Sequence, residues 1–184
     1  MDKMVLLYLA DGFEEVEALG VVDVLRRAEI DIQTVSITGK REVVSSHGIP
    51  VLADLLFSEA DHEGAEMLVL PGGMVGTQSL SLHEELGAVL QRAAKELRWV
   101  TAICAAPTVL AKYGLLQGKK AICYPGLETR LEGADTSSVE NVVMDGKIIT
   151  SRGPGTTFDF AFALTAALKG QETADKIQAA MLLA

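Results

Sequence analysis

Short apolar runs alternate along the chain with longer segments in which apolar residues recur every three or four positions. A run that is apolar throughout indicates a strand covered on both faces, and a period near 3.6 indicates an amphipathic helix. Because the two kinds of segment alternate, the pattern predicts parallel strands joined by crossover helices. We therefore expect an α/β layered sandwich with a mostly parallel sheet and helices on both faces.

The predicted strands are KMVLLYLA, DIQTVSI, AEMLVL, WVTAI, KKAICY and the two β-rich runs of VENVVMDGKIITS, which flank an Asp-Gly turn of type I′. The predicted helices are EEVEALGVVDVLRRA, LHEELGAVLQRAAKEL, one that opens at Pro107, FDFAFALTAALK and ETADKIQAAMLL. In REVVSSHGIPVLADLLF, Gly48 and Pro50 predict a hairpin or small excursion at one sheet edge. No repeat or linker interrupts the pattern, so residues 1–184 are expected to form one domain.

Composition narrows the class of protein. Hydrophobic residues make up 49% of the sequence, yet no segment has the roughly 18 uninterrupted apolar residues of a membrane-spanning helix, so no membrane partner is expected. The start, MDKMVLLYLADGFEE, lacks the cleavage pattern of a secretory signal, and a cytoplasmic location is expected. A net charge of −9 repels phosphate backbones, so direct nucleic-acid binding is not expected.

Three stretches that follow predicted strands are candidates for chemistry: DGFEE, PGGM and CAAP. In an open parallel sheet, ligands bind at the carboxyl ends of the strands, where the chain passes into a helix. The ends of adjacent strands lie close together, so we expect these three stretches to converge.

Cys104 follows the last residue of a predicted strand and precedes Pro107, which suits the first turn of a helix. A thiol at a helix amino terminus meets unpaired N–H groups, which lower its pKa and make a nucleophilic thiolate available. The position is like the strand-turn-helix elbow of hydrolases. Cysteine is also a small, often buried hydrophobic residue, so position alone leaves both interpretations open. Cys123 has no such position and is interpreted as a core residue.

Glu17 is predicted to point inward from the first helix. At 100° per residue it lies between Val21 and Val24, on the apolar face. A carboxyl group there tends to have a raised pKa, so it could donate a proton or a hydrogen bond. The alternative is an acid that reaches solvent, which a helix boundary misplaced by two residues would produce.

Glycine-rich turns offer backbone donors. Pro71-Gly72-Gly73 could be an oxyanion-binding turn, and an ordinary tight turn is an equal alternative. It lacks the GK[ST] ending of a nucleotide loop. SRGPGT could likewise bind an anion or simply cap a helix.

The histidines do not predict a metal site. His47, His62 and His83 lie in a turn, a polar loop and a helix beginning, without a carboxylate or second histidine at metal-ligand spacing. We therefore expect no metal and no cofactor. His62 and His83 are interpreted as surface residues, whereas His47 could approach the site from the hairpin.

Four motifs, ADGFEEVEA, VLPGGM, TAICAAPTVLA and TSRGPGTTFDFA, occur in this order along essentially the whole chain. Together they resemble the ThiJ/PfpI superfamily, in particular the branch of the Parkinson-disease-associated protein deglycase and bacterial YajL. The resemblance implies a flavodoxin-like sheet, a reactive cysteine at the elbow and a glutamate hydrogen-bonded to its sulfur. These roles fall on Cys104 and Glu17, and the backbone oxyanion donors on Gly72, Gly73 and Ala105.

Two positions depart from the family pattern. Members that resemble cysteine peptidases have a histidine directly after the cysteine, where this chain has Ala105, so a peptidase is not expected. In the deglycase branch a histidine is often found at the position of Tyr124. A tyrosine, with a pKa near 10, is a poor general base at neutral pH, which shifts the acid–base role to Glu17. Tyr124, Arg152 and His47 are candidate pocket residues.

The resemblance implies a cysteine-dependent stress-protection enzyme that acts on methylglyoxal-type dicarbonyls or their glycation adducts on proteins. Such an enzyme is a deglycase or a cofactor-independent, lactate-forming glyoxalase. The alternative is a redox sensor or chaperone in which Cys104 is oxidised and no small molecule is turned over. Thiazole phosphate biosynthesis, an old family label, has little support because no clear phosphate loop is found. Superfamily members commonly pair, so a homodimer is expected.

Overall fold

The computed structural model describes residues 4–183. The strands within them are β1 Val5–Leu9, β2 Ile32–Ser36, β3 Glu42–Val44, β4 Pro50–Leu52, β5 Leu55–Leu56, β6 Met67–Leu70, β7 Trp99–Ile103, β8 Val142–Asp145 and β9 Ile148–Ser151. The α-helices are α1 Glu15–Arg27, α2 Met74–Leu82, α3 Glu84–Lys95, α4 Pro107–Lys112, α5 Thr157–Lys169 and α6 Gln171–Ala180.

Seven strands form one sheet in the order β5-β2-β1-β6-β7-β9-β8, and of these β8 alone runs antiparallel to its neighbour. Numbered in chain order, the parallel strands β1, β2, β6, β7 and β9 lie in the order 2-1-3-4-5 of flavodoxin-like sheets. The predicted α/β fold with a mostly parallel sheet is therefore confirmed. The strand order reverses between β1 and β6, and such a switch point is where open α/β sheets bind ligands.

Helices cover both faces of the sheet because side chains of the central strands alternate between two cores. On one face, Leu7 and Leu9 pack with apolar residues of α1, α5 and α6. On the other, Leu6 and Tyr8 pack with apolar residues of α3 and α4. Every residue of β1, β6 and β7 is buried, which explains the continuous apolar runs in the sequence. Among the described residues, no helix is long and apolar enough to cross a lipid bilayer.

The predicted hairpin is confirmed: β3 and β4 pair antiparallel outside the main sheet, and β5 then extends the sheet edge beside β2. The hairpin is held against the chain ahead of α1. The N–H of Gly12 donates to the carbonyl of Val44 (2.7 Å), and the N–H of Ser46 donates to the carbonyl of Phe13 (2.8 Å). These bonds bring His47, in the hairpin turn, to the start of α1.

The strand predicted at residues 119–124 is wrong. This segment makes only an isolated bridge, since β9 occupies the position beside β7. The N–H of Ile122 donates to the side-chain hydroxyl of Thr150 (3.0 Å), and the N–H of Tyr124 donates to the carbonyl of Cys104 (2.7 Å). The apolar run is therefore a buried connection that supports the turn at Cys104.

Two local features also differ from the sequence-based expectation. Helix α2 was not predicted, because its sequence has no apolar period: two of its three buried residues are Gly76 and Thr77. The β8–β9 turn is not of type I′. Asp145 pairs with Ile148, and of the two loop residues only Gly146 has a positive φ (+62°), whereas type I′ requires it at both.

Candidate active site

Three turns that follow neighbouring strands meet at the carboxyl edge of the sheet. β1, β6 and β7 lie side by side, and they continue into residues 10–14, 71–73 and 104–106. The N–H of Glu14 donates to the carbonyl of Gly72 (3.0 Å), which ties the first turn to the second. The predicted convergence of DGFEE, PGGM and CAAP is confirmed.

Cys104 opens its turn with a left-handed backbone, φ +65°. Its N–H donates to the carbonyl of Ser151 on β9 (3.0 Å), and its carbonyl accepts from the N–H of Tyr124 (2.7 Å). These bonds hold a conformation that costs a non-glycine residue about 1–3 kcal/mol. Helix α4 begins three residues later, at Pro107, and Cys104 is only 9% exposed. The sulfur therefore lies in a tight strand-to-helix elbow, as predicted.

Glu17 lies on the inner face of α1 and is completely buried. Its Oε2 accepts a hydrogen bond from the N–H of Gly72 (2.7 Å), and the thiol of Cys104 also hydrogen-bonds to the carboxyl group. The other oxygen, Oε1, has no further partner of normal geometry among residues 4–183. Burial raises the pKa of Glu17 to about 7, against the opposing effect of the thiol and the Gly72 N–H. The inward orientation and the raised pKa both agree with the prediction.

Gly72 has a different role from the one predicted. Its N–H is bonded to Glu17 and is therefore not available to a ligand oxygen. A Cβ at this position would lie 2.5 Å from Cβ of Cys104 and 2.6 Å from Oε2 of Glu17, so no larger residue fits without moving the pair. Gly72 is the residue that lets the carboxyl group and the thiol approach each other.

The predicted lowering of the Cys104 pKa is wrong. Burial raises the pKa of this thiol to about 12, and the Glu17 carboxylate adds to the rise. The N–H groups of Gly73 and Ala105 hydrogen-bond to the sulfur and act in the opposite direction, but the first two effects are larger. Near neutral pH the thiol therefore keeps its proton while Glu17 is close to half ionised. The thiol of Cys104 is therefore the acid of the pair, and the carboxylate of Glu17 is the base that can take its proton.

A cavity of about 580 Å³ opens over Cys104. This volume lies within the range of about 300–1,000 Å³ for small-molecule sites, so it suits a small organic ligand. Its lining includes Glu14, Ser46, His47, Met74, Cys104 and Tyr124. His47 and Tyr124, two of the three predicted pocket residues, thus line the cavity with the thiol. No lysine or arginine is among its described lining residues.

Arg152, the third predicted pocket residue, does not line this cavity. It lies at a neighbouring depression of about 210 Å³, which shares Tyr124 and Pro154 with the main cavity. The hydroxyl of Thr156 accepts hydrogen bonds from the N–H groups of Arg152 (3.3 Å) and Gly153 (3.1 Å). The SRGPGT stretch therefore closes on itself ahead of α5, which favours the capping interpretation.

The hairpin brings a histidine to two carboxylates at the cavity rim. Nδ1 of His47 lies 2.6 Å from Oε1 of Glu15, and the hydroxyl of Ser46 lies 3.2 Å from carboxylate oxygens of both Glu14 and Glu15. Glu14, Glu15 and His47 offer ligand atoms within 4.8 Å of one another and are the residues that could hold a metal ion. Local spacing in the sequence does not reveal this group, because 32 residues separate His47 from Glu15 along the chain.

His62 and His83 are not surface residues as predicted. Both are half-buried against the ring of Phe57, with ring centroids 4.3 and 4.5 Å away. Nδ1 of His62 hydrogen-bonds to the hydroxyl of Tyr8 (2.9 Å), and Nδ1 of His83 accepts from the N–H of Leu86 at the start of α3 (3.1 Å). Their roles are in packing and capping.

With the elbow, the buried glutamate and the sheet order established, comparison with known proteins decides the family. A model of the DJ-1/PfpI family matches residues 3–167. The chain belongs to the DJ-1/PfpI family. Oxidized DJ-1 of Toxoplasma gondii has a solved structure that matches this DJ-1/PfpI chain with a TM-score of 0.94 at 36% identity, covering 99% of each chain.

Two curated relatives extend the comparison of this DJ-1/PfpI chain. Protein DJ-1 homolog B of Arabidopsis thaliana is 38% identical over 181 residues, which are 97% of this chain and 41% of the relative. The chain thus spans less than half the length of that protein. The glutathione-independent glyoxalase DJR-1.2 of Caenorhabditis elegans is 28% identical over 171 residues, 93% of this chain and 91% of the relative.

Several residues that line the cavity in this DJ-1/PfpI chain are not candidates on sequence alone, among them Glu14, Ser46 and Met74. The motifs DGFEE and PGGM contain Glu14 and Met74, so their place next to a candidate residue could have identified them. Ser46 reaches the cavity through the fold of the hairpin, for which the sequence holds no local signal.

Proposed function

We propose that this protein is a cysteine-dependent stress-protection enzyme that acts on methylglyoxal-type dicarbonyls or their glycation adducts on proteins and releases lactate. The observation that carries the proposal is the Cys104 thiol hydrogen-bonded to a buried Glu17 with a pKa of about 7, at a cavity of about 580 Å³. The glyoxalase name of the Caenorhabditis elegans relative supports the same chemistry. The proposed steps need no cofactor, and we propose a cytoplasmic location.

In the first step, ionised Glu17 takes the thiol proton while the sulfur of Cys104 adds to the aldehyde carbon. A C–S bond forms and the carbonyl π bond opens to an alkoxide. A carboxylate whose pKa is raised toward neutrality is a stronger base than an exposed one. The N–H groups of Gly73 and Ala105 hydrogen-bond to the sulfur of Cys104. They would also stabilise the alkoxide that forms on the carbon bonded to this sulfur. Glu17 then returns the proton to that oxygen, which gives a hemithioacetal.

In the second step, Glu17 removes the proton from the former aldehyde carbon and the neighbouring carbonyl oxygen takes up a proton, which gives an enediol. A proton is then delivered to the neighbouring carbon while the hydroxyl on the sulfur-bearing carbon loses its proton, which gives a lactoyl thioester on Cys104. One carbon is oxidised and its neighbour is reduced, so no external oxidant or reductant is needed. Water then cleaves the thioester, releasing lactate and the free thiol.

Lactate release from methylglyoxal tests the proposal. We expect Cys104→Ala to reduce the rate to the uncatalysed background, because the nucleophile is gone. Cys123→Ala is the matched control, since Cys123 is buried away from the cavity and its loss should leave the rate near that of the native protein. Lactate formation that survives in Cys104→Ala would reject the mechanism.

A redox sensor is the second candidate, and the oxidized state of the Toxoplasma gondii DJ-1 structure favours considering it. Here a peroxide is the oxidant. The sulfur of Cys104 attacks one peroxide oxygen, the O–O bond breaks, and the products are a sulfenic acid and water; a second peroxide gives the sulfinic acid. A sulfinic acid located at Cys104 by peptide mass analysis after mild peroxide, together with absence of lactate formation, would favour the sensor.

We also propose that the protein forms a homodimer. Apolar side chains are exposed on α1 and on the adjacent β3–β4 hairpin: Val16, Leu19, Val44, Ile49 and Leu52. Several exposed apolar side chains on neighbouring elements are typical of a protein–protein interface. A mass from light scattering that matches one chain at micromolar concentration would contradict the dimer.

A further inference from the structure

A second cavity lies between α2 and α4, and Met74 lines both this cavity and the one over Cys104. Its volume is about 320 Å³. This is near the lower end of the range of about 300–1,000 Å³ for small-molecule sites, so the cavity suits a small ligand. Apart from Met74, none of its lining residues contributes to the candidate active site.

The lining of the second cavity is rich in hydrogen-bond donors and contains no acid. Its polar residues are Thr77, Gln78, Ser81, Thr108 and Arg130. Within residues 4–183, the guanidinium of Arg130 makes no hydrogen bond or ion pair, and the side chains of Gln78 and Ser81 make no hydrogen bond. The hydroxyl of Thr108 donates to the carbonyl of Ala105 (2.7 Å). Gln78 and Arg130 are exposed and Ser81 is half-buried, so these donors have no protein partner and face solvent or a ligand.

Thr77 supplies the second, independent observation. The residue is 4% exposed, and its hydroxyl has no hydrogen-bond partner among the described residues. Buried hydroxyl groups are nearly always hydrogen-bonded in folded proteins, because an unpaired one loses its bonds to water and gains nothing in return. The hydroxyl oxygen has no surface open to the cavity in its present rotamer, and rotation of the Thr77 side chain about χ1 would turn it toward a ligand oxygen that provides the missing partner.

We infer that this second cavity binds a small oxyanion, with its charge held by Arg130 and one oxygen held by the Thr77 hydroxyl. The planar guanidinium can donate two parallel hydrogen bonds to a carboxylate or a phosphate. A cation would find no carboxylate there, and an apolar ligand would leave the donors unpaired. Inorganic phosphate and a small hydroxycarboxylate such as lactate share the required chemistry. The inference does not depend on the proposed reaction, because it concerns different side chains.

Calorimetric titration of the full chain with potassium phosphate and, separately, with sodium lactate tests the inference at constant ionic strength. We expect saturable binding of at least one anion by the native protein, weakened about fivefold or more in Arg130→Gln. Arg130→Lys should retain part of the affinity, because the charge remains while the forked geometry is lost. Arg92→Gln is the matched control: it removes the same charge from a residue that pairs with Glu63 on the surface, and should bind like the native protein.

Thr77→Val distinguishes a ligand-binding hydroxyl from a structural one. Valine has nearly the same shape, and the hydroxyl it replaces has no partner, so we expect anion affinity to fall about fivefold while the melting temperature is unchanged or higher. A lower melting temperature with unchanged affinity would overturn the assignment of Thr77. Absence of saturable binding with both anions, or equal affinity in Arg130→Gln and the native protein, would overturn the site. Saturation by only one anion supports the site and identifies its ligand.

Discussion

The two cavities that share Met74 are built from opposite chemistry. Over Cys104, the polar groups are bonded to one another: Glu17 holds both the thiol and the Gly72 N–H, and Glu14 adds negative charge at the rim. In the second cavity no described lining residue is acidic, and the side-chain donors of Gln78, Ser81 and Arg130 have no partners among residues 4–183. The first cavity is equipped to move a proton, the second to hold a negative charge. The two linings therefore predict different ligands for two cavities of one protein whose net charge is −9.

Glu17→Gln should have the largest effect, and it should change the chemistry of the cavity over Cys104 without changing ligand binding in the second cavity. Glutamine keeps the size and the bond to Gly72 but cannot accept the thiol proton, so we expect lactate formation to fall by about 10²–10⁴-fold. In the native protein, kcat/KM should rise with pH through about 7 as Glu17 ionises, and this step should be missing in the variant. Phosphate affinity of the second cavity should not change. An identical pH profile in both proteins would exclude Glu17 as the base.

The same substitution should also change how stability depends on pH. The folded-state pKa of Glu17, about 7, is higher than its ordinary value of 4.5, so the folded chain holds this proton more tightly. The resulting stabilisation is complete below about pH 4.5 and is lost as pH rises through 7. Relative to the native protein, Glu17→Gln should therefore gain about 2–3 kcal/mol of unfolding free energy between about pH 5 and pH 9.

Urea denaturation at both pH values measures this gain. Thr77→Val, which changes the second cavity and removes no titrating group, is the control and should show no pH-dependent difference from the native protein. If the difference in unfolding free energy between Glu17→Gln and the native protein is the same at both pH values, burial does not raise the pKa of Glu17.

Removing one negative charge from the lining of the active-site cavity should have a smaller effect, measured by the rates at which Cys104 is alkylated. Iodoacetamide is neutral and iodoacetate is an anion, so their relative rates of Cys104 alkylation measure the local potential. We expect Glu14→Gln to raise the iodoacetate-to-iodoacetamide ratio by about two- to fivefold at low salt, because one negative charge is removed from the lining. Glu172→Gln, in the surface pair with Lys176 on α6, should leave the ratio unchanged. Peptide mass analysis would confirm that Cys104 is the residue modified.

Tyr124→Phe should have the smallest effect. Tyr124 lines both the cavity and the neighbouring depression, but its hydroxyl makes no hydrogen bond within residues 4–183. We expect lactate formation to change by less than about threefold, since a hydroxyl that holds no reacting group makes none of the contributions of about 10² or more that acid–base groups and oxyanion donors make. A loss comparable to that of Glu17→Gln would show that the tyrosine takes part in proton transfer.

The parts of the molecule that the sequence predicts well are those where one local rule dominates. The buried strands are apolar throughout, and Glu17 can be placed inside because a helix repeats every 3.6 residues. Segment 119–124 has the same apolar composition as a strand, but whether it enters the sheet depends on β9, which follows it by more than 20 residues. Competition of this kind between distant segments leaves no local signal.

The electrostatics of the site were harder to predict than its geometry. Position at a helix start correctly placed Cys104 at an elbow, but the sign of its pKa shift depends on burial and on Glu17, which a one-dimensional pattern does not weigh against each other. Likewise, Gly72 was identified as a backbone donor, yet which atom receives its N–H became evident only once α1 was packed against the turn. Contacts between elements decide such questions.

The left-handed backbone at Cys104 sets folding and reactivity against each other at this one residue. Glycine takes up this conformation freely, so Cys104→Gly would relax the elbow while removing the sulfur. Libraries screened for heat resistance alone should therefore enrich Cys104→Gly. Libraries screened for thiol chemistry should retain Cys104 despite its strained backbone.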